Sequence, residues 1–298
     1  MTLVEAAVDL AALTELRCRH PELIAQRWAG RSRRHLLPAD GRLLLLACDH
    51  PARGALGVGD QPMAMASRSQ TLSRLVTALN RPGVDGVLAT PDVLEDLLLL
   101  GALEDKVVIG SMNRGGLAGS VWELRDDVTA YTAEAISSAG LNGGKMLTRI
   151  ALDDPGTADT LQACAEAVSA LAARGLLAMI EPFWSRRRSL TRVIHQLDPE
   201  SMIRAIHVAQ ALGATSAYSW LKLPVVDDLD RVLDSTSLPV LLLGGDPGGD
   251  PARTYQTWRR AMALPNVRGL VVGRALLWPA DHDVAAAVDT AAGIVHPT

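Results

Sequence analysis

From residue 43 onward the chain repeats one hydrophobic pattern. An apolar run of strand length is followed by a turn-rich linker, then by a segment whose apolar residues recur at helical spacing. The apolar runs span residues 43–48, 84–89, 107–111, 145–150, 176–180, 216–221, 238–243 and 268–272. The helical segments span residues 67–80, 91–103, 124–139, 157–174, 199–212, 227–234, 251–264 and 281–294. Asp198-Pro199-Glu200 and Asp250-Pro251 supply helix starts, with a capping carboxylate just before a first-turn proline. Uninterrupted apolar strands that alternate with helices predict a parallel sheet covered on its faces. Eight such units in about 250 residues predict an α/β chain of the (β/α)8 type, a TIM barrel. A doubly wound sheet would need a glycine-rich phosphate fingerprint after its first strand. Asp49-His50-Pro51-Ala52-Arg53-Gly54 stands there instead.

Residues 1–40 lie outside this repeat. Segments 4–19 and 21–28 read as helices, so a helical extension (1–40) is expected before a barrel domain (41–298). The extension is expected to cover one end of the fold or to make an oligomer contact. Arg31, Arg33 and Arg34, just before the first strand, read as a solvated connector.

Composition narrows the function. The 298 residues are 48% hydrophobic, enough for one large core. A net charge of -4 and only 3% aromatics argue against a nucleic-acid partner. No apolar run approaches membrane-spanning length, and Glu5 and Asp9 interrupt any leader-like start, so no membrane partner is expected. Cys18, Cys48 and Cys164 are widely spaced with no CxxC pair, which suits a reducing, cytoplasmic setting. Only His50 among the histidines stands at a strand end. A metal site is therefore not expected, nor any cofactor.

Lysine carries the chemistry. Arginine supplies nearly all the positive charge, and Lys106, Lys145 and Lys222 are the only lysines. An arginine stays protonated, whereas a desolvated lysine can lose its proton and attack a carbonyl. Lys222 ends the sixth apolar run before Pro224, and Lys145 lies in the fourth. A second cation beside Lys222 would favour its neutral, nucleophilic form; a structural ion pair is the plainer alternative for Lys145. In a barrel the strand C-terminal ends form the active face. Those ends offer Asp49 and His50, Asp92, Asn113 and Arg114, Arg149, Glu181, Lys222, Gly244-Gly245 and Gly273-Arg274. Asp49 and Glu181 each close an apolar run, where desolvation would suit proton transfer. The glycine turns after strands seven and eight are candidates for phosphate binding through backbone N–H groups, with Arg274 as a charge-assisted contact. Gly115, Gly116 and Gly119 suggest a mobile loop. Arg186, Arg187 and Arg188 are either a contact for a second anionic group or a solvated charge run.

The ordered set Ala47-Cys48-Asp49-His50 through Arg53-Gly54, Gly144-Lys145-Met146-Leu147, Ile180-Glu181-Pro182, Leu221-Lys222-Leu223-Pro224, Gly244-Gly245 and Gly273-Arg274-Ala275 resembles the class I aldolases of the DeoC/LacD group. It is most similar to tagatose-bisphosphate, sulfofructose-phosphate and archaeal-type fructose-bisphosphate aldolases, and also to an actinobacterial branch linked to myo-inositol catabolism. The resemblance implies a barrel that cleaves a phosphorylated sugar to dihydroxyacetone phosphate and an aldehyde, often as a homo-oligomer. The inositol branch implies 2-deoxy-5-keto-gluconate 6-phosphate as substrate and malonate semialdehyde as the aldehyde. By the resemblance Lys222 is the Schiff-base lysine and Lys145 the second active-site lysine. Asp49 and Glu181 are the strand-end carboxylates, and Gly244, Gly245, Gly273 and Arg274 hold phosphate. His50, Arg53 and Arg149 are further substrate contacts. His50-Pro51-Ala52 departs from the tagatose pattern, which places a glutamine and an arginine directly after the aspartate. Two alternatives remain open: a sugar-phosphate isomerase or epimerase with Glu181 as base, and a non-catalytic phosphosugar-binding barrel.

Overall fold

The computed structural model describes residues 8–245 and 250–297. Its strands are β1 (Leu43–Cys48), β2 (Gly86–Ala89), β3 (Val107–Ser111), β4 (Gly143–Ile150), β5 (Leu177–Ser189), β6 (Arg192–His195), β7 (Ser219–Pro224), β8 (Val240–Leu243) and β9 (Val267–Val272). All except β6 pair in parallel, in the order β1-β2-β3-β4-β5-β7-β8-β9, and β9 closes on β1. This is the expected (β/α)8 barrel, with helices between successive strands. Among the described residues, no helix is long and apolar enough to cross a membrane.

The two-residue period of a strand sorts the core into two layers. Leu43, Leu45 and Ala47 point into the barrel with Leu88, Val107, Ile109, Leu177, Met179, Trp220, Leu241 and Val271. Leu44, Leu46 and Cys48 point outward to the helices. Each fully buried leucine contributes about 1.5–3 kcal/mol, so both layers favour one register. The inward phase continues past the apolar floor. Asp49 follows Ala47, Glu181 follows Met179, and Lys222 follows Trp220.

The extension closes the opposite end. Helices α1 (Leu10–Arg19) and α2 (Glu22–Gly30) lead to Leu36, which packs against the interior layer. Residues 4–7 of the expected first helix lie outside the described residues. Arg31 is buried, not a solvated connector. Its guanidinium lies over Trp28 and donates to the carbonyls of Leu103, Lys106 and Gly140. Arg34 pairs with Asp85 at 3.0 Å. These contacts lie before the N-terminal ends of β3 and β4, on the side away from Lys222.

Four other expectations are corrected. Segment 124–139 is helical only over Ala133–Ser138. Before that the backbone runs along β3, where Thr129, Ala130 and Tyr131 donate to the carbonyls of Met112 and Ser111. The helix expected over 227–234 shrinks to Leu229–Leu233. The strand expected over 216–221 is Ser219–Pro224, which puts Lys222 inside the strand. The fifth strand, expected to stop at residue 180, runs on to Ser189 and turns back as antiparallel β6. Arg187 anchors this hairpin to Asp154 at 2.8 Å.

Candidate active site

Inward positions on β4, β5 and β7, with Asp49 just after β1, bring four charges together in alternating sign. The Glu181 carboxylate bridges two ammonium groups: Oε1 lies 3.0 Å from Lys222 Nζ, and Oε2 pairs with Lys145 Nζ. Lys145 Nζ also reaches Asp49 Oδ2 at 3.1 Å. Arg114 approaches the same Asp49 oxygen at 3.3 Å and donates to its main-chain carbonyl at 2.5 Å, while the Ser111 hydroxyl donates to Oδ2 at 3.3 Å. All four side chains are buried, with Lys145 and Lys222 each 2% exposed. Burying one such ion alone costs several kcal/mol, and the alternation of charge offsets much of that cost.

The ionisations follow from burial and neighbours. Burial would raise the Glu181 carboxyl, but the lysine pair outweighs it and holds it at about 2. Asp49 is likewise opposed by burial, yet Lys145 and Arg114 hold it well below the usual carboxylate range. Burial pulls the Lys145 ammonium down, and its two carboxylate neighbours only partly restore it. Burial also lowers His50, to about 4, because Arg274 and Lys222 offset the attraction of Asp49.

A second ion network lies beside the first. Arg53 pairs with Asp126 at 2.5 Å and donates to the carbonyls of Gly116 and Asn113. Arg149 pairs with Glu123 at 2.8 Å and approaches Asp126 at 3.5 Å. Together they tie the loop after β3 to the barrel rim. Asn113 adds a two-way bridge to the backbone of Leu147.

Both networks open on one cavity of about 740 Å3 at the C-terminal mouth. Gly244, Gly245, Gly273 and Arg274 line it from the ends of β8 and β9. Gly245 takes a φ of +66°, where a side chain would be strained, and a Cβ on Gly273 would meet the Ala47 carbonyl. Among the described lining residues, seven Lys or Arg side chains face four carboxylates, so the cavity favours an anion.

A family model described as Cgl0159-like matches residues 41–292. The chain belongs to the Cgl0159-like family. Crystalline Cgl0159 from Corynebacterium glutamicum is 50% identical to it, covering 96% of each chain with a TM-score of 0.93. An archaeal fructose 1,6-bisphosphate aldolase shares the fold at 15% identity, covering 91% of this chain and 98% of its own, with a TM-score of 0.64. A further archaeal fructose-1,6-bisphosphate aldolase structure, in which the catalytic Lys is covalently bound to the carbinolamine intermediate, has 16% identity, 91% and 99% coverage and a TM-score of 0.65. No curated protein matches the sequence.

In this family member the sequence-derived residues Lys222, Lys145, Glu181, Asp49, His50, Arg53, Arg149, Gly244, Gly245, Gly273 and Arg274 all line one cavity. Asp92 does not. It sits in the first turn of the helix Pro91–Leu99 and pairs with Arg68. Arg186 and Arg188 are exposed on the hairpin. Sequence reading overlooked the wall made by Phe183 and His195. Their rings stack 4.3 Å apart, and His195 Nδ1 lies 2.9 Å from Ser185 Oγ. His195 lines the cavity, and its enclosure and the Arg149 guanidinium push it below its ordinary value. The β-branched pair Val193-Ile194 just before His195 was the available signal for β6.

Proposed function

We propose that this protein is a class I aldolase that cleaves a phosphorylated ketose through a Schiff base on Lys222. One observation carries the reading: a carboxylate inside the barrel, Glu181, holds one buried lysine on each of its oxygens. Binding an anion needs no such arrangement, whereas amine condensation needs a nucleophile with a proton acceptor in contact. The likeness to barrels that form lysine adducts is consistent with it.

The Lys222 amine, once deprotonated, adds to the substrate ketone. Glu181, in contact with both lysines, carries protons as the carbinolamine loses water to an iminium. The iminium draws the electron pair of the adjacent C–C bond as it breaks. The hydroxyl proton of the departing half goes to a carboxylate, and an aldehyde leaves. The remaining enamine is protonated on carbon, and water hydrolyses the iminium to dihydroxyacetone phosphate. The glycine turns at β8 and β9 with Arg274 hold the phosphate, and Arg53 and Arg149 border the other end of the substrate. Within this class the first substrate to assay is 2-deoxy-5-keto-gluconate 6-phosphate, with malonate semialdehyde as the aldehyde product.

Lys222→Arg tests the reading. It keeps the cation but removes the nucleophile, so cleavage should fall by at least about a thousandfold. A variant that keeps most of its activity would mean that residue 222 acts only as a charge, as in an isomerase.

A further inference from the structure

The cleavage scheme leaves one proton without a carrier, the one delivered to carbon when the enamine collapses. Glu181 is poorly suited to it, because each of its oxygens already faces an ammonium group. Asp49 is no better: its Oδ2 receives Lys145, Arg114 and Ser111. Its other oxygen faces His50, with Oδ1 3.7 Å from His50 Nδ1.

That nitrogen is buried and has no hydrogen-bond partner. Yet 32% of the His50 side chain is exposed, and it lines the cavity. Burial of Nδ1 therefore leaves the Nε2 edge toward the substrate space. The nearby carboxylate favours the tautomer with hydrogen on Nδ1, which leaves a lone pair on Nε2. This is an orienting carboxylate behind an imidazole, and a separation of 3.7 Å can tighten when a charged imidazolium forms. His50 caps the short 3-10 turn Pro51–Arg53, which the Arg53–Asp126 pair holds in place.

The position also fits. β1 adjoins β9, which carries Gly273 and Arg274, and the imidazole feels the charges of both Arg274 and Lys222. His50 thus shares one cavity with both the β9 turn and Lys222.

We propose that His50 is a catalytic residue, the acid that protonates the enamine carbon and the base that removes that proton in the condensation direction. This rests on the Schiff-base reading above. In cleavage, Nε2 first takes a proton from solvent. The imidazolium then gives it to the enamine carbon. The enamine π pair forms the new C–H bond, the nitrogen lone pair restores the iminium, and Asp49 Oδ1 faces the charge on the ring. Once Lys222 is a neutral enamine, one of the cations that keeps His50 neutral has gone, which favours its protonation at that step.

The test follows dihydroxyacetone phosphate alone in deuterium oxide. Wild type should exchange the carbon-bound hydrogen beside the carbonyl. His50→Ala and His50→Asn should lose that exchange by about a hundredfold or more while borohydride still attaches the substrate to Lys222. Added imidazole should restore exchange to His50→Ala, which a merely structural role would not allow. Trapping that persists with undiminished exchange in both variants would overturn the role of His50. Absence of trapping in wild type would instead overturn the Schiff-base reading.

Discussion

Each charged residue of the central cluster has a distinct consequence when removed. Glu181→Gln keeps the shape but loses the shared acceptor, so kcat should fall by about a hundred- to ten-thousandfold in a steady-state cleavage assay. Lys145→Met leaves Asp49 and Glu181 without their common partner. Breaking one partner of a buried pair costs about 3–5 kcal/mol, and urea denaturation should show a loss of that size alongside lost activity. These residues were legible because a charge that ends an apolar run is expensive, and the strand period sends it inward. The roles of Arg53 and Arg149 were not. Both line the cavity, yet their ion pairs run to Glu123 and Asp126, in a segment that helical spacing misassigned. The apolar spacing around Leu124 suited a helix, but buried Asp126 and the hydrogen bonds to β3 held that backbone extended.

At the scale of elements, the eight barrel strands were readable because most are apolar on both faces, while β4 sets Lys145 and Arg149 among its apolar residues. The β5–β6 hairpin was not, because Glu181-Pro182 and the following arginines look like the end of a strand. The strand survives Pro182 and extends over the cavity, where Arg187 fastens it to Asp154. Asp154→Ala should loosen this wall without touching the lysines. The expected result is a KM raised about three- to tenfold with kcat nearly unchanged, read from saturation curves. The loop after β3 depends on one side chain, Asp126, which is fully buried between Arg53 and Arg149. Asp126→Ala should lower stability by about 3–5 kcal/mol and release the loop to limited proteolysis.

Across the whole molecule, two pH-dependent contacts oppose each other. His296 joins the last helix to the barrel floor, with Nδ1 2.5 Å from Asp40 and Nε2 3.0 Å from Asp85. The hydrogen bond to Asp85 raises the imidazole above its ordinary value, with burial opposing it and Asp40 adding to it. A raised value means that the folded chain holds the proton more tightly. This contribution is therefore full below about 6.5, the unfolded value, and is lost as pH rises through the folded one. Glu181 behaves in the opposite sense. Its depressed value gives stability that is full above the ordinary glutamate range and is lost as pH falls toward about 2. The urea-midpoint advantage of wild type over His296→Asn should therefore be full below about pH 6.5 and shrink as pH rises above it.

Covalent attachment of substrate at Lys222 can be tested in one experiment. The protein is incubated with dihydroxyacetone phosphate, reduced with borohydride, weighed intact and mapped by peptide mass. Condensation at Lys222 predicts one adduct per chain, with the mass of the reduced three-carbon phosphate, on the peptide that carries Lys222. An unchanged mass, or an adduct that forms equally in Lys222→Arg, would contradict it.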